Sequence, residues 1–267
     1  MQKTILITGA TDGIGLATAK KLASQNHHLL LHGRSIKKLK DVEQQLACLS
    51  SGRVQTYLAD LSELAQVSAL AKKVAAEHKH IDVLINNAGI FKVSDPITRE
   101  GLDIRFCVNT IAPFVLTRHL APVLGESGRV INLSSAAQAP VNLQALAGKA
   151  RLTDMEAYAQ SKLAITMWTR SLAERYNNNG PTIIAVNPGS LLASKMVKEG
   201  FGMDGKDINI GADILVRIAS EDGFERHSGQ YFDNDAGGFA TPHPEGMDMQ
   251  QCEQVVEHIQ AIITRYG

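Results

Sequence analysis

Short runs of β-branched and leucine residues alternate with longer amphipathic stretches along almost the whole chain, and this rhythm limits the fold more than any other feature. The strand candidates are residues 4–8, 29–32, 54–59, 83–86, 129–133, 182–186 and 230–232. Several are apolar at successive positions rather than at every second one, the pattern of a strand covered on both faces. Between them, residues 15–24, 36–49, 64–77, 102–120 and 155–176 carry apolar side chains at helical spacing. Such alternation specifies βαβ units and hence an α/β fold, a doubly wound parallel sheet wrapped by helices on both faces. Seven strands in the order 3-2-1-4-5-6-7 are expected, with a ligand crevice where the order reverses between strands 1 and 4. No linker or internal repeat divides the 267 residues, so residues 1–267 read as a single domain. Two stretches break the rhythm, 136–153 and 190–209. Each follows a strand, where ligands bind in open α/β sheets, and they are the expected substrate-side wall and lid.

Charge excludes one class of partner. Lys plus Arg and Asp plus Glu both total 27, which leaves no basic excess for a nucleic-acid backbone. Cys48, Cys107 and Cys252 are odd in number and widely spaced, without a CxxC. They read as reduced, buried thiols rather than as disulfides or metal ligands. His27, His28 and His32, and likewise His78 and His80, lack metal-site spacing and are expected to face solvent at element ends. Met1 leads directly into a strand, and no apolar run approaches the ~20 residues that span a bilayer. A cytoplasmic protein with no metal and no membrane span is expected.

The first strand runs into Gly9-Ala10-Thr11-Asp12-Gly13-Ile14-Gly15 and then into a helix. Gly9 permits a tight turn, Gly13 a close approach of backbone to a pyrophosphate, and Gly15 close packing of helix on sheet. The helix N-terminus presents N–H groups and the positive end of its dipole to phosphates. A plain tight turn would also use three glycines, but their place at the first strand–helix junction favours a dinucleotide site that includes Thr11, Asp12 and Ile14. The second strand ends in Gly33-Arg34-Ser35. An acidic residue there would take the ribose hydroxyls of NAD(H); Gly33 instead leaves room, and Arg34 can pair with and stack over an adenosine 2′-phosphate. NADP(H) is preferred and NAD(H) remains open, as does Arg34 as a solvated surface charge. Asp60 and Leu61, ending the third strand, stand where an adenine contact belongs, although Asp60 or Ser62 could equally cap the next helix.

Tyr158-Ala-Gln-Ser-Lys162 lies within a helical stretch, so its phenol and ammonium share one face. A free phenol has a pKa of about 10; a neighbouring ammonium, and the positive nicotinamide of an oxidised cofactor, stabilise the phenolate and make Tyr158 a usable acid and base. Ser134 and Ser135 end the fifth strand, where a hydroxyl can donate to a developing oxyanion. Asn109, unfavourable in mid-helix, can kink its helix or hold a water that connects Lys162 to solvent. Gly200-x-x-x-x-Gly205-Lys206 imitates a phosphate loop, but it follows no strand and has Asp207 where a hydroxyl is needed. No G-x-S-x-G supports a hydrolase.

Together these residues resemble the short-chain dehydrogenase/reductase family. The matching pieces are Thr8-Gly-x-x-x-Gly-Ile-Gly15, Asn86-Asn87-Ala88-Gly89, Asn109, Ser134-Ser135, Tyr158-x-x-x-Lys162 and Asn187-Pro188-Gly189, in the family's order. The resemblance implies a Rossmann-like fold, Tyr158 as acid/base, Lys162 on the nicotinamide ribose, Ser135 on the substrate oxygen and Asn109 in a proton relay. It also implies that Asn87, Ala88 and Gly89 line the cofactor and that Pro188, Gly189 and Leu191 lie near the carboxamide. The stretch between Ser135 and Tyr158 is longer than the family's usual one, which resembles the retinol-dehydrogenase and WW-domain-oxidoreductase branch. Ala193 stands where the family's PGxxxT has threonine, with Ser194 next.

The function expected is hydride transfer between a nicotinamide and a small-molecule carbonyl or alcohol. Leu143, Leu146, Leu191, Leu192, Met196, Val197 and Phe201 suggest an apolar substrate. The resemblance implies a homodimer or homotetramer through helices 102–120 and 155–176, while the apolar spacing of 252–263 suits packing on the domain or on a neighbour. The alternatives are a non-catalytic NADP(H) sensor or scaffold, which need not retain Asn109, Ser135, Tyr158 and Lys162 together, and an epimerase or dehydratase, which would carry a larger C-terminal part.

Overall fold

The computed structural model describes every residue except Ser50, Ser51, Asn178, Ser194, Lys195, Val197, Glu199, Phe201 and Met203. Val197 and Phe201, expected in the lid, therefore lie outside the described residues, as does Ser194. Along the chain the elements are β1 (Thr4–Ile7), α1 (Gly13–Ser24), β2 (His28–Gly33), α2 (Ile36–Ala47), β3 (Val54–Leu58), α3 (Leu64–Glu77) and β4 (Val83–Asn86). Then come α4 (Ile104–Leu124), β5 (Arg129–Leu133), α5 (Leu143–Leu146), α6 (Asp154–Tyr176) and β6 (Thr182–Asn187). The last elements are α7 (Asn209–Ser220), β7 (Tyr231–Asp233), β8 (Gly238–Ala240) and α8 (Met249–Tyr266).

One sheet in the order β3-β2-β1-β4-β5-β6-β7-β8 carries the molecule. Pairing is parallel as far as β7, as the unbroken apolar runs require. Among the described residues the expected seven strands are corrected to eight: β8 turns back antiparallel on β7. Its three residues Gly-Phe-Ala have little strand character of their own, and tertiary packing holds them. The Phe239 ring stacks on His227 at 4.0 Å between centroids and meets Phe232 edge-on at 5.2 Å.

Alternate residues of each strand feed two cores. Leu6, Leu84, Val130 and Ile183 pack under α3, α4, α6 and α8. Ile5, Ile85, Ile131 and Ile184 pack under α1, α2 and α7. Helix α7 opens Asn209-Ile-Gly-Ala, and its first N–H is met by the Asp207 carboxylate at 2.9 Å. It forms because Gly211 lets its first turn sit on the loop after β6; a Cβ there would lie 2.6 Å from Leu192 Cδ1 and 3.3 Å from Pro188 Cβ.

Helix α4 is long and apolar enough to cross a membrane, but 72% of its most apolar window is buried within the chain. Its flank packs along α3, and α6 packs along α8, so the faces expected to join copies are largely covered from within. Cys107 and Cys252 are buried as expected, whereas Cys48 is exposed beyond the end of α2.

Ile259 of α8 is fully buried in the first core. Ile259→Ala should lower stability by about 2–5 kcal/mol, read as a urea midpoint shift at unchanged slope. A loss under about 0.5 kcal/mol would mean that α8 is not docked.

Candidate active site

The glycine loop stands at the carboxyl end of the sheet, between β1 and α1. Gly9 has φ +65°, and a Cβ on Gly15 would fall 2.4 Å from the Gly9 carbonyl oxygen and from Asn87 Nδ2. The first turn of α1 therefore touches loop backbone, which only glycine permits. Asn87 Nδ2 donates to the carbonyls of Thr8 at 2.8 Å and Gly9 at 3.1 Å, and the Ala88 N–H donates to Thr8 Oγ1 at 3.0 Å. Asp12 caps α1 through the Gly13 N–H at 2.9 Å and pairs with Lys38 at 3.0 Å. Ile14 packs on the second core.

At the end of β2, a Cβ on Gly33 would lie 2.7 Å from Thr11 Cγ2. Ser35 caps α2, and Arg34 is exposed beside it. Neither expected capping role of Asp60 or Ser62 is seen: the Asp60 carboxylate accepts from Ser62 N–H (2.9 Å) and Oγ (2.7 Å), and Glu63 precedes α3 without a capping bond to its N–H groups, its carboxylate accepting instead from Gln66 Nε2 at 2.9 Å. Leu61 is buried in the first core, so its backbone alone can meet a ligand. The glycine turn, the cap of α2 and the exposed Arg34 form a donor set suited to a dinucleotide with an extra phosphate.

The catalytic candidates converge one strand further along. Helix α6 starts from a capping box, Thr153 with Glu156, and buries Lys162. Lys162 Nζ donates to the Leu133 carbonyl at 2.7 Å and lies 5.7 Å from the centroid of the Tyr158 ring. Gly89 brings backbone to this point: a Cβ there would be 3.5 Å from Lys162 Nζ and 3.6 Å from Asn109 Oδ1. Asn109 sits in a π-helical turn of α4, Cys107–Ile111, the local distortion expected of it. Its side chain accepts from Ile90 N–H (2.8 Å) and donates to Ile90 O (3.0 Å) and Ser161 Oγ (2.9 Å).

The two serines separate in role. Ser134 Oγ is buried on the Lys162 carbonyl at 2.8 Å, while Ser135 Oγ accepts the Ala137 N–H at 3.1 Å. Burial pushes the Tyr158 phenol up, and the Ser135 hydroxyl acts in the opposite direction. The lowering expected from Lys162 is not seen. Burial instead brings the Lys162 ammonium down to about 8, since the same desolvation penalises both charged forms.

The wall around this pair differs in part from expectation. Residues 136–153 are a fastened segment: Asn142 N–H donates to Gln160 Oε1 (3.0 Å), Val141 N–H to Glu245 Oε2 (3.2 Å) and His243 N–H to Gln138 Oε1 (2.9 Å). Leu146 is fully buried in the first core and so lines no pocket, and Leu143 packs against that core partly buried. Phe91 is buried beside the pair, its ring 5.1 Å from that of Tyr158. Behind β6, Gly189 has φ +123° and Leu191 φ +55°. Asp235 of the β7–β8 turn holds this bend through the Ser190 N–H (3.0 Å) and Asn187 Nδ2 (2.9 Å). Asn234 Nδ2 adds a bond to the Pro188 carbonyl at 2.9 Å. Phe91, Asp235 and His32 were not selected from sequence. His27 and His32, expected at the surface, are buried.

Comparison with known proteins agrees with this geometry. The family model for short chain dehydrogenase matches residues 3–203. Mouse retinol dehydrogenase 12 is 33% identical over 86% of this chain and 77% of its own length, and mouse retinol dehydrogenase 13 is 30% identical over 95% and 81%. An uncharacterised protein from Mycobacterium paratuberculosis superposes with a TM-score of 0.81 at 26% identity, covering 98% of this chain and 94% of its own. A metagenomic short-chain oxidoreductase solved in complex with NADP gives 0.63 at 30% identity, over 82% and 90%. The chain belongs to the short-chain dehydrogenase family, oxidoreductases that act on CH–OH groups.

Proposed function

We propose that this protein is an NADP(H)-dependent oxidoreductase that interconverts an apolar alcohol and its carbonyl, with Tyr158 as general acid and base. The observation that carries the reading is the meeting of Tyr158, Lys162 and Asn109 around Gly89, beside the glycine loop. Gly9, Thr11, Asp12, Gly13, Ile14 and Gly15 would hold the pyrophosphate, and Arg34 and Ser35 the 2′-phosphate. Asp60 and Leu61 would meet the adenine, and Asn87, Ala88, Gly89, Pro188, Gly189 and Leu191 the nicotinamide half. When bound, the dinucleotide supplies or accepts the hydride. In reduction, Tyr158 gives its proton to the carbonyl oxygen while the Ser135 hydroxyl donates a hydrogen bond to it. Lys162 stabilises the phenolate left behind, and Asn109 holds Ile90 and Ser161 about the pair. Oxidation reverses these transfers. Phe91 and Leu191 make the entrance apolar, and the retinol dehydrogenases among its relatives make retinol the first alcohol to assay. Assembly into dimers or tetramers through α4 and α6 would need what α3 and α8 leave uncovered.

Fluorescence titration should give tighter binding of NADPH than of NADH, and Arg34→Ala should weaken NADPH about ten-fold or more with little effect on NADH. An equal preference would remove the 2′-phosphate assignment.

Tyr158→Phe should abolish turnover of retinal or retinol yet leave the NADPH dissociation constant within about two-fold. Retained turnover would take Tyr158 out of the chemistry. Binding without turnover by the wild type over a broad carbonyl panel would leave the non-catalytic reading.

Lys162, lowered to about 8, is charged below that pH and neutral above it, well before a free lysine would be. Near neutrality the pair is a protonated phenol beside an ammonium, poised to donate. Carbonyl reduction at saturating NADPH should therefore fall as pH rises through about 8. A rate that holds flat to about pH 10 would exclude the Lys162 charge from the step.

A further inference from the structure

His32 ends β2 directly behind the glycine loop, and it is 3% exposed. Its Nδ1 accepts the Gly9 N–H at 3.3 Å, and its Nε2 donates to the Ala59 carbonyl at 3.0 Å. Its own carbonyl accepts the Ala10 N–H at 3.0 Å. From the other side, Asn87 Nδ2 bonds the Thr8 and Gly9 carbonyls. The peptide joining Thr8 to Gly9 is thus gripped at its oxygen by Asn87 and at its nitrogen by the His32 ring. The peptide joining Gly9 to Ala10 is gripped at its oxygen by Asn87 and at its nitrogen by the His32 backbone. Peptide planes beside a glycine flip readily because no Cβ opposes them, so a pair of opposed clamps has mechanical content.

The position of these planes is passed on to the phosphate end. A Cβ on Gly15 would lie 2.4 Å from the Gly9 oxygen, so the first turn of α1 rests on that carbonyl. Rotation of the Gly9 peptide would displace the turn whose N–H groups face the pyrophosphate.

We propose that His32 is a positioning residue for NADP(H), the β2-side counterpart of Asn87, and that its ring, by fixing the Thr8–Gly9 peptide, sets the course of the chain into the Gly9 carbonyl on which α1 rests. This rests on the dinucleotide reading above. The role requires a neutral ring carrying its proton on Nε2. The buried setting supplies this, with burial lowering the ring to about 4, so the clamp is intact throughout the neutral range.

Two substitutions separate this role from general support of the fold. In His32→Asn the side-chain oxygen falls near Nδ1, keeping the acceptor for Gly9 and losing the bond to Ala59. In His32→Gln the amide reaches Ala59 and loses Gly9. Each variant gives up one buried hydrogen bond, so thermal midpoints should drop by similar amounts. NADPH titration should leave His32→Asn within about two-fold of wild type and weaken His32→Gln about ten-fold. Equal dissociation constants for the two variants, or a weaker His32→Asn, would overturn the positioning role while leaving the dinucleotide reading in place. Failure of the wild type to bind NADPH would overturn both.

Discussion

A lysine buried beside a tyrosine is the constraint around which this molecule is arranged. An ammonium removed from water is tolerated only with hydrogen-bond partners; Lys162 has the Leu133 carbonyl at 2.7 Å and the Tyr158 ring beneath it. Those partners belong to β5 and to α6 itself, so α6 cannot rotate or slide without stranding the charge. Further bonds repeat the lock at the same level: Ser134 Oγ to the Lys162 carbonyl, Thr110 Oγ1 to the Ser161 carbonyl, and Asn109 to Ser161. Below this polar ring, Leu163, Ile165, Met167 and Trp168 are buried. The helix is anchored by apolar burial along its length and indexed by polar bonds at its reactive end.

The cofactor edge uses the same division of labour. Apolar packing brings β1, β2 and β4 together, and side chains from β2 and the β4 loop then fix the peptide planes between β1 and α1. The bend after β6 is held by Asp235 from a hairpin formed far along the chain. Likewise, residues 136–153 are tied to Glu245 and to the backbone of His243 near the C-terminus. The late segment of the chain thus shapes both walls of the site, although it carries none of the motif residues.

Much of this was legible in the residues. Strands buried on both faces are apolar at most positions, and that composition marks β1, β2, β4, β5 and β6 without a structure; β3, with Gln55, Thr56 and an exposed Leu58, is not of that kind. The glycine loop, the Tyr158–Lys162 spacing and the Asn109 distortion were legible because each depends on neighbours within one element. Helix α7 was not, since a glycine-rich approach and an early Gly211 resemble loop until Pro188 and Leu192 are placed against it. The strand β8 was missed because the rings of His227 and Phe232 define it, and Leu146 read as pocket lining because its exposure depends on where α8 lies.

The sequence by itself determined the alternation of elements, the parallel sheet and the placing of Tyr158 and Lys162 on one helix face, because periodicity, turn chemistry and helical spacing are local. Tertiary structure alone decided how burial shifts the two groups. The spacing of Tyr158 and Lys162 suggests a phenol lowered by its neighbour, yet burial raises the phenol and lowers the ammonium. It also decided that His32 is a buried clamp and Leu61 a core residue. Desolvation and hydrogen-bond partnership depend on which distant segments exclude water from a group, and no stretch of sequence contains that information.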